Sequence, residues 1–167
     1  MDTFTNHDYE NVHMSLLHSI YSHLPKAGLM ILPIVTLTAC ASTKQFVPLP
    51  DQSRTIDDPA KGRIYVMRPA VVGAAIPMTV NDGSAGIGQT GPKGFLCWER
   101  PPGDARIESR SEGSSLAHFK VDAGSRYYIF QHVKMGMLQA RSELELLSEN
   151  EGKKLLIKCS PPKIESQ

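Results

Sequence analysis

Gly62-Arg63-Ile64-Tyr65-Val66-Met67-Arg68-Pro69 decides the fold. Its middle is β-branched, aromatic and apolar, and it stops at a proline, which cannot donate to a ladder. Read at period two, Ile64, Val66 and Arg68 share one face, and Arg63, Tyr65 and Met67 share the other. This predicts a strand over residues 63–68. The same reading continues C-terminally, with strands expected over 76–81, 85–89, 95–99, 105–110, 115–121, 127–133 and 137–146. Turn signals separate them: Asn81-Asp82-Gly83-Ser84, Gly91-Pro92-Lys93-Gly94, Pro101-Pro102-Gly103 and Asp122-Ala123-Gly124-Ser125. Short strands at regular spacing predict a mainly β, antiparallel sandwich, immunoglobulin- or transthyretin-like, with one dry and one wet face per sheet. The period then changes. Ser148 with Glu151 three residues on forms a capping box, and Leu147, Glu151, Leu155 and Lys158 recur at helical spacing. A short helix is expected over 149–158, stopped before Pro161-Pro162 and weakened by Gly152.

N-terminal to the strand region the composition shifts. Residues 40–60 are rich in Pro, Ser, Thr and Asp without a period, and read as a solvated tether. The domain is expected over 61–160, and 161–167 as a disordered tail. Upstream, Lys26 precedes the apolar run Leu29-Met30-Ile31-Leu32-Pro33-Ile34-Val35, followed by Leu37-Thr38-Ala39-Cys40. A cation, a short apolar region and small residues before a cut are the anatomy of an export signal over 1–39. Cysteine just after the cut, between Ala39 and Cys40, gives the form of a lipobox. The expectation is that Cys40 carries diacylglycerol and anchors the chain in membrane lipid. A transmembrane helix is disfavoured, because the apolar stretch is about 15 residues and a span needs roughly 20. A plain signal cut near Ala39 or Ala41 is the nearest competitor. Residues 1–13 carry Asp2, Asp8 and Glu10 and no Lys or Arg, which is wrong for a signal's charged start, so Met14 is the expected first residue.

The 167 residues hold 18 Lys and Arg against 17 Asp and Glu. The first 39 contain one of those cations and three of the acids, leaving a charge of +3 afterwards. That is too mild and dispersed for a nucleic-acid partner. With Cys40 acylated, Cys97 and Cys159 are left as a pair in an oxidising compartment, and a disulfide between them is the natural reading.

The order Arg63-Ile64-Tyr65-Val66-Met67-Arg68-Pro69, Val80-Asn81-Asp82-Gly83, Pro101-Pro102-Gly103 and Gly124-Ser125-Arg126-Tyr127-Tyr128-Ile129 resembles a prokaryotic domain-of-unknown-function family of small lipoproteins. Pro101-Pro102-Gly103-Asp104-Ala105-Arg106-Ile107 also resembles PEGA and carboxypeptidase-regulatory-like sandwiches. The resemblance spans residues 61–159 and implies a tethered β-domain. It brings no catalytic residues, and the Cys97/Cys159 pair lies outside it.

Catalytic chemistry has little to stand on. His118 and His132 are the imidazoles after residue 40, on separate strands, and no Gly-x-Ser-x-Gly is present. Gly83, Gly86 and Gly88 sit between strands, where a phosphate cradle would need a helix start, and read as hairpin and bulge positions. Cys97, Cys159, His118 and His132 have metal-ligand chemistry without ligand spacing, so no metal and no cofactor are expected. Arg68, on the face of Ile64 and Val66, is expected to pair with a rim carboxylate such as Glu99. Tyr65, Trp98, Tyr127 and Tyr128 read as cross-strand pairs, with an aromatic patch as the alternative. The expectation is a non-enzymatic cell-envelope lipoprotein, binding an envelope protein, peptide or glycan by a sheet edge or face. Ala41 and Ser42, neither of them Asp, favour the outer membrane facing the periplasm. The alternative is a periplasmic small-ligand or metal-binding sensor using Arg68, His118 or His132.

Overall fold

The computed structural model describes residues 41–135 and 140–165. The elements are β1 (Lys44–Gln45), β2 (Gly62–Arg68), β3 (Met78–Asp82), β4 (Ala85–Thr90), β5 (Gly94–Arg100), β6 (Gly103–Arg110), β7 (Ser114–Val121), β8 (Arg126–Met135), β9 (Ala140–Leu147), α1 (Glu149–Leu156) and β10 (Lys163–Ile164). The expected export signal, the Ala39–Cys40 cut and the Cys40 anchor lie outside the described residues. The eight expected strands form, the one expected over 137–146 from Ala140 on, its first three residues lying outside the described ones, as do the helix and its capping box between Ser148 and Glu151.

The strands make two sheets, ordered β10-β1-β4-β3-β6-β7 and β5-β2-β8-β9. Both sheets are mixed, where a wholly antiparallel arrangement was expected. β1 pairs parallel with β10, and β2 pairs parallel with β8. The parallel β2–β8 pairing follows from connectivity, since the chain re-enters the four-stranded sheet at β8 from β7 of the other sheet rather than by a hairpin from β2. One apolar cluster draws on both sheets: Ile64, Val66 and Leu96 from one meet Val80, Ile107 and Val121 from the other.

Every residue of β2 is buried, so the expected wet face is absent there. Its second face carries Tyr65 and Met67, which join Phe95, Cys97 and Tyr128 in a separate cluster. Leu49, Leu147, Leu155 and Leu156 cover that cluster. A strand dry on both faces packs like a strand of a parallel sheet, which explains the near-continuous apolar run of its sequence.

Leu49 belongs to the stretch expected as a tether, and that expectation is corrected. The chain from Thr43 runs beside β4, with Lys44 opposite Gln89 and Phe46 N–H donating to Ile87 O at 2.9 Å. Gly88 permits the approach, because a Cβ there would lie 2.3 Å from Lys44 O. Gln45 is fully buried. Its carboxamide donates to Cys97 O at 2.8 Å and accepts from Cys97 N–H at 3.0 Å, lying along the outer side of β5 as a strand would. The expected disordered tail is also corrected over its described part. Lys163–Ile164 forms β10, Glu165 N–H donates to Gln45 O at 3.0 Å, and Lys44 pairs with Glu165 at 2.7 Å.

The expected Cys97–Cys159 disulfide is not made; both are free thiols. Cys97 faces Tyr65 across the β2–β5 ladder, whereas Cys159 sits where Ser160 bridges Gly94, with the Arg68 backbone N–H directed at its sulfur. Three residues of strand separate the two stations, roughly 10 Å, beyond the ~7 Å that bridging allows. Among the described residues no helix is long and apolar enough to cross a membrane.

Burial pushes both thiols up to about 11, and the Tyr65 hydroxyl up to about 12. Each group therefore holds its proton more tightly folded than unfolded, where the ordinary values are 9 and 10. Their contribution is intact below pH 9 and is lost as pH rises through 11. The urea midpoint should be flat from neutrality to about pH 8.5 and fall between about pH 9 and 11, a profile that urea melts across that range will check.

Candidate functional site

β2 carries a buried arginine at each end, and each guanidinium organises a loop. At the start of β2, Arg63 donates to Glu99 Oε1 from Nε at 2.9 Å and to Asp57 Oδ1 from Nη2 at 3.1 Å. Its Nη1 reaches the carbonyls of Asp51 and Arg54 at 3.0 and 2.8 Å. Burial works against its charge, and the bonds to Tyr65 and Glu99 more than offset that, so its pKa is raised. Glu99, opposite Arg63 in the ladder, also accepts the backbone N–H groups of Asp57 and Asp58 at 2.7 and 3.1 Å. The loop 51–58 is thereby fixed to the ends of β2 and β5.

Arg68 at the other end has no carboxylate partner among the described residues. It donates to the carbonyls of Ile76, Thr90, Val72 and Gly73 at 2.7, 3.2, 3.1 and 2.7 Å, while its Nε has no partner. Burial pushes its pKa down. The expected Arg68–Glu99 pair is corrected: Glu99 lies opposite Arg63, and the register sets Arg68 opposite Gly94, five residues away along β5. Beyond Arg68, a buried polar chain continues between the sheets. Thr90 bonds Gln131, Gln131 donates to Ser109 Oγ, and Ser142 links Ser109 O to Ser115.

At the Arg63 end a groove of about 580 Å³ opens between the 47–50 segment and the ends of β3 and β5. Val47, Leu49, Ile87 and Trp98 supply apolar lining. Asp82, the last residue of β3, ties the rim together: Trp98 Nε1–H donates to its Oδ2 at 3.0 Å, and Arg100 Nη1 to its Oδ1 at 2.6 Å. Arg100 also donates to Asp104 O at 2.9 Å, across the β5–β6 turn. Asp58 accepts from Ala60 N–H at 3.0 Å and pairs with Lys61 at 3.3 Å. Each carboxylate in the groove is already bonded to a cation or an N–H of the domain. The arrangement is suited to binding an apolar or extended ligand between fixed walls. It presents no nucleophile paired with a base.

The residues of the alternative sensor reading are dispersed. Arg68 is buried between the sheets. His118 is exposed on the outer face of the six-stranded sheet, opposite Arg106. His132 lies on the outer face of the four-stranded sheet, packed at a tilt on Phe130 with ring centroids 3.7 Å apart and bonded to Glu145 at 2.6 Å. Among the described residues no three His, Cys, Asp or Glu side chains converge to hold a metal. The aromatics separate too. Tyr65 stacks on Tyr128 at 5.1 Å beneath α1, Tyr127 packs on Phe119 at 5.0 Å, and Trp98 lines the groove. The Asp82 clamp was not foreseen. Its sequence signal was an aspartate ending a strand directly before the hairpin glycine, where a side chain reaches the neighbouring strand end.

No family model and no solved structure matches the chain. An uncharacterized protein of Haemophilus influenzae is 30% identical over 128 residues, covering 74% of this chain and 76% of that protein. At that identity and coverage, the chain belongs to the family of that Haemophilus influenzae protein.

Proposed function

We propose that the protein is a non-enzymatic lipoprotein of the bacterial cell envelope, anchored through acylated Cys40 and acting by binding a partner in the groove beside Trp98. The observation that carries this reading is Leu37-Thr38-Ala39-Cys40 behind a cation and a short apolar run. Two or three acyl chains on one cysteine anchor a protein stably where a single chain would not. The apolar cluster shared by the two sheets supports reading them as a β-sandwich of the immunoglobulin or transthyretin kind, akin to the small tethered lipoproteins that its strand motifs resemble. Outer-membrane attachment facing the periplasm follows from Ala41 and Ser42 after the cysteine. The partner is an envelope protein segment or glycan, and the groove's apolar lining with a charged rim favours an extended peptide.

The test compares the intact mass of native protein extracted from membranes with that of a Cys40→Ala variant. A native mass beginning at Cys40 and carrying acyl chains, with the variant lacking both, is the expected result. A native mass without acyl groups, or one retaining residues before Cys40, overturns the reading.

A further inference from the structure

Pro69-Ala70-Val71-Val72-Gly73-Ala74-Ala75-Ile76-Pro77 links β2 to β3 and contains no polar side chain. Connecting loops are ordinarily rich in polar and turn residues. Here Val71 is 56% exposed and Val72 48%, with Ala75 and Pro77 also exposed. The loop does not bury these side chains in its own core. Instead Arg68 holds it from inside, through the carbonyls of Val72, Gly73 and Ile76, and Ile76 N–H closes onto Gly73 O at 2.8 Å. A buried cation with no counter-charge among the described residues thus fixes an apolar loop with its valines outward.

The neighbour of this loop gives it a role. Ala41 N–H donates to Ala74 O at 2.8 Å. Cys40 is the preceding residue in the sequence. Around the same end lie Lys93, in the β4–β5 turn, and Lys163, whose N–H bonds Thr43 O at 3.0 Å.

We infer that loop 69–77 docks into the surface of the bilayer that holds the acyl chains of Cys40, Val71 and Val72 entering the headgroup–acyl boundary beside Lys93 and Lys163. The inference rests on the lipoprotein reading above. Apolar side chains seated there with cations at the headgroup level are the ordinary chemistry of interfacial binding. Two attachments, acyl anchor and loop, would fix the orientation of the domain. β5 runs from Gly94 beside this loop to Arg100 at the groove, so the groove would stand roughly 20 Å from the docked end, facing away from the membrane.

Val72→Cys in acylated full-length protein that also carries Cys159→Ser supplies a site for a nitroxide label, because acylation blocks Cys40, burial keeps Cys97 poorly reactive and the half-buried Cys159 is replaced. The protein is placed in vesicles of phosphatidylethanolamine and phosphatidylglycerol. Power saturation with oxygen and with a water-soluble nickel chelate then reads the depth of the label. The expected result is a label at 72 lying about 5–10 Å into the boundary, and one at Ser84→Cys, at the other end of the sheets, in water. A label at 72 as accessible to the chelate as that at 84, in protein whose mass shows the acyl chains, overturns the docking and leaves the lipoprotein reading standing. Dipolar broadening between labels at 72 in sparsely loaded vesicles would assign the loop to a second copy and overturn it equally. Protein without acyl chains removes the reading beneath, and the inference with it.

Discussion

Glu99→Ala should lower the unfolding free energy by about 3–5 kcal/mol, the largest loss expected of any single truncation in the chain. The reason is the charge it abandons. Arg63 is 0% exposed, and Glu99 is its nearest carboxylate, at 2.8 Å. Removing Glu99 leaves a desolvated guanidinium leaning on Asp57 and two backbone carbonyls, and strands the N–H groups of Asp57 and Asp58. Denaturant melts measure the loss, and limited proteolysis should find the 51–58 loop newly cleavable. The double variant Arg63→Met/Glu99→Leu separates the two effects. Removing both charges together should return much of the stability, as buried pairs replaced by apolar side chains commonly do. The loop should remain cleavable, because the carbonyls of Asp51 and Arg54 lose their donor. A Glu99→Ala variant within about 1 kcal/mol of the parent would mean that the pair is solvated and does not organise this end of the domain.

Gly152→Val should be the second severe lesion, costing about 3 kcal/mol, with Gly152→Ala costing on the order of 1–2. The direction opposes helix propensity, by which alanine gains up to about 1 kcal/mol over glycine. What decides is contact. α1 lies so close to the four-stranded sheet that a Cβ on Gly152 would fall 2.2 Å from Tyr128 Cγ and 2.3 Å from its Cβ. Any side chain must push the helix away or turn Tyr128 out of its stack on Tyr65. Thermal melts give the order parent, alanine, valine, and near-ultraviolet circular dichroism should report the altered tyrosine pair. A stabilising Gly152→Ala would mean that the helix does not rest on Tyr128.

These residues also mark where the sequence stops being legible. The strands were readable because alternation is a local signal, and the capping box because its partners are three residues apart. Gly152 looked like a defect of the helix, since its purpose lies in a tyrosine 24 positions away. The stretch 41–60 looked like a linker because its order comes from single long-range anchors, Gln45 to Cys97 and the loop carbonyls to Arg63, which leave no periodicity. The two arginines of β2 were visible, but their partners depend on register. Arg63 meets Glu99 only once β2 and β5 pair as they do, and Arg68 resolves onto carbonyls that offer no sequence signal. The groove was unreadable for the same reason, being assembled from a misread segment and a clamp on a turn aspartate.

The carboxamide of Gln45 has a consequence for how copies of the domain meet edge to edge. β5 closes one side of its sheet, and an outermost strand with open N–H and C=O groups is a template for another chain. Gln45 occupies both groups of Cys97, and Phe95 N–H donates to Ser160 O at 3.3 Å. β5 therefore has its mid-strand pairing sites filled from within its own chain, so this edge of the sheet is closed as a template for lateral polymerisation.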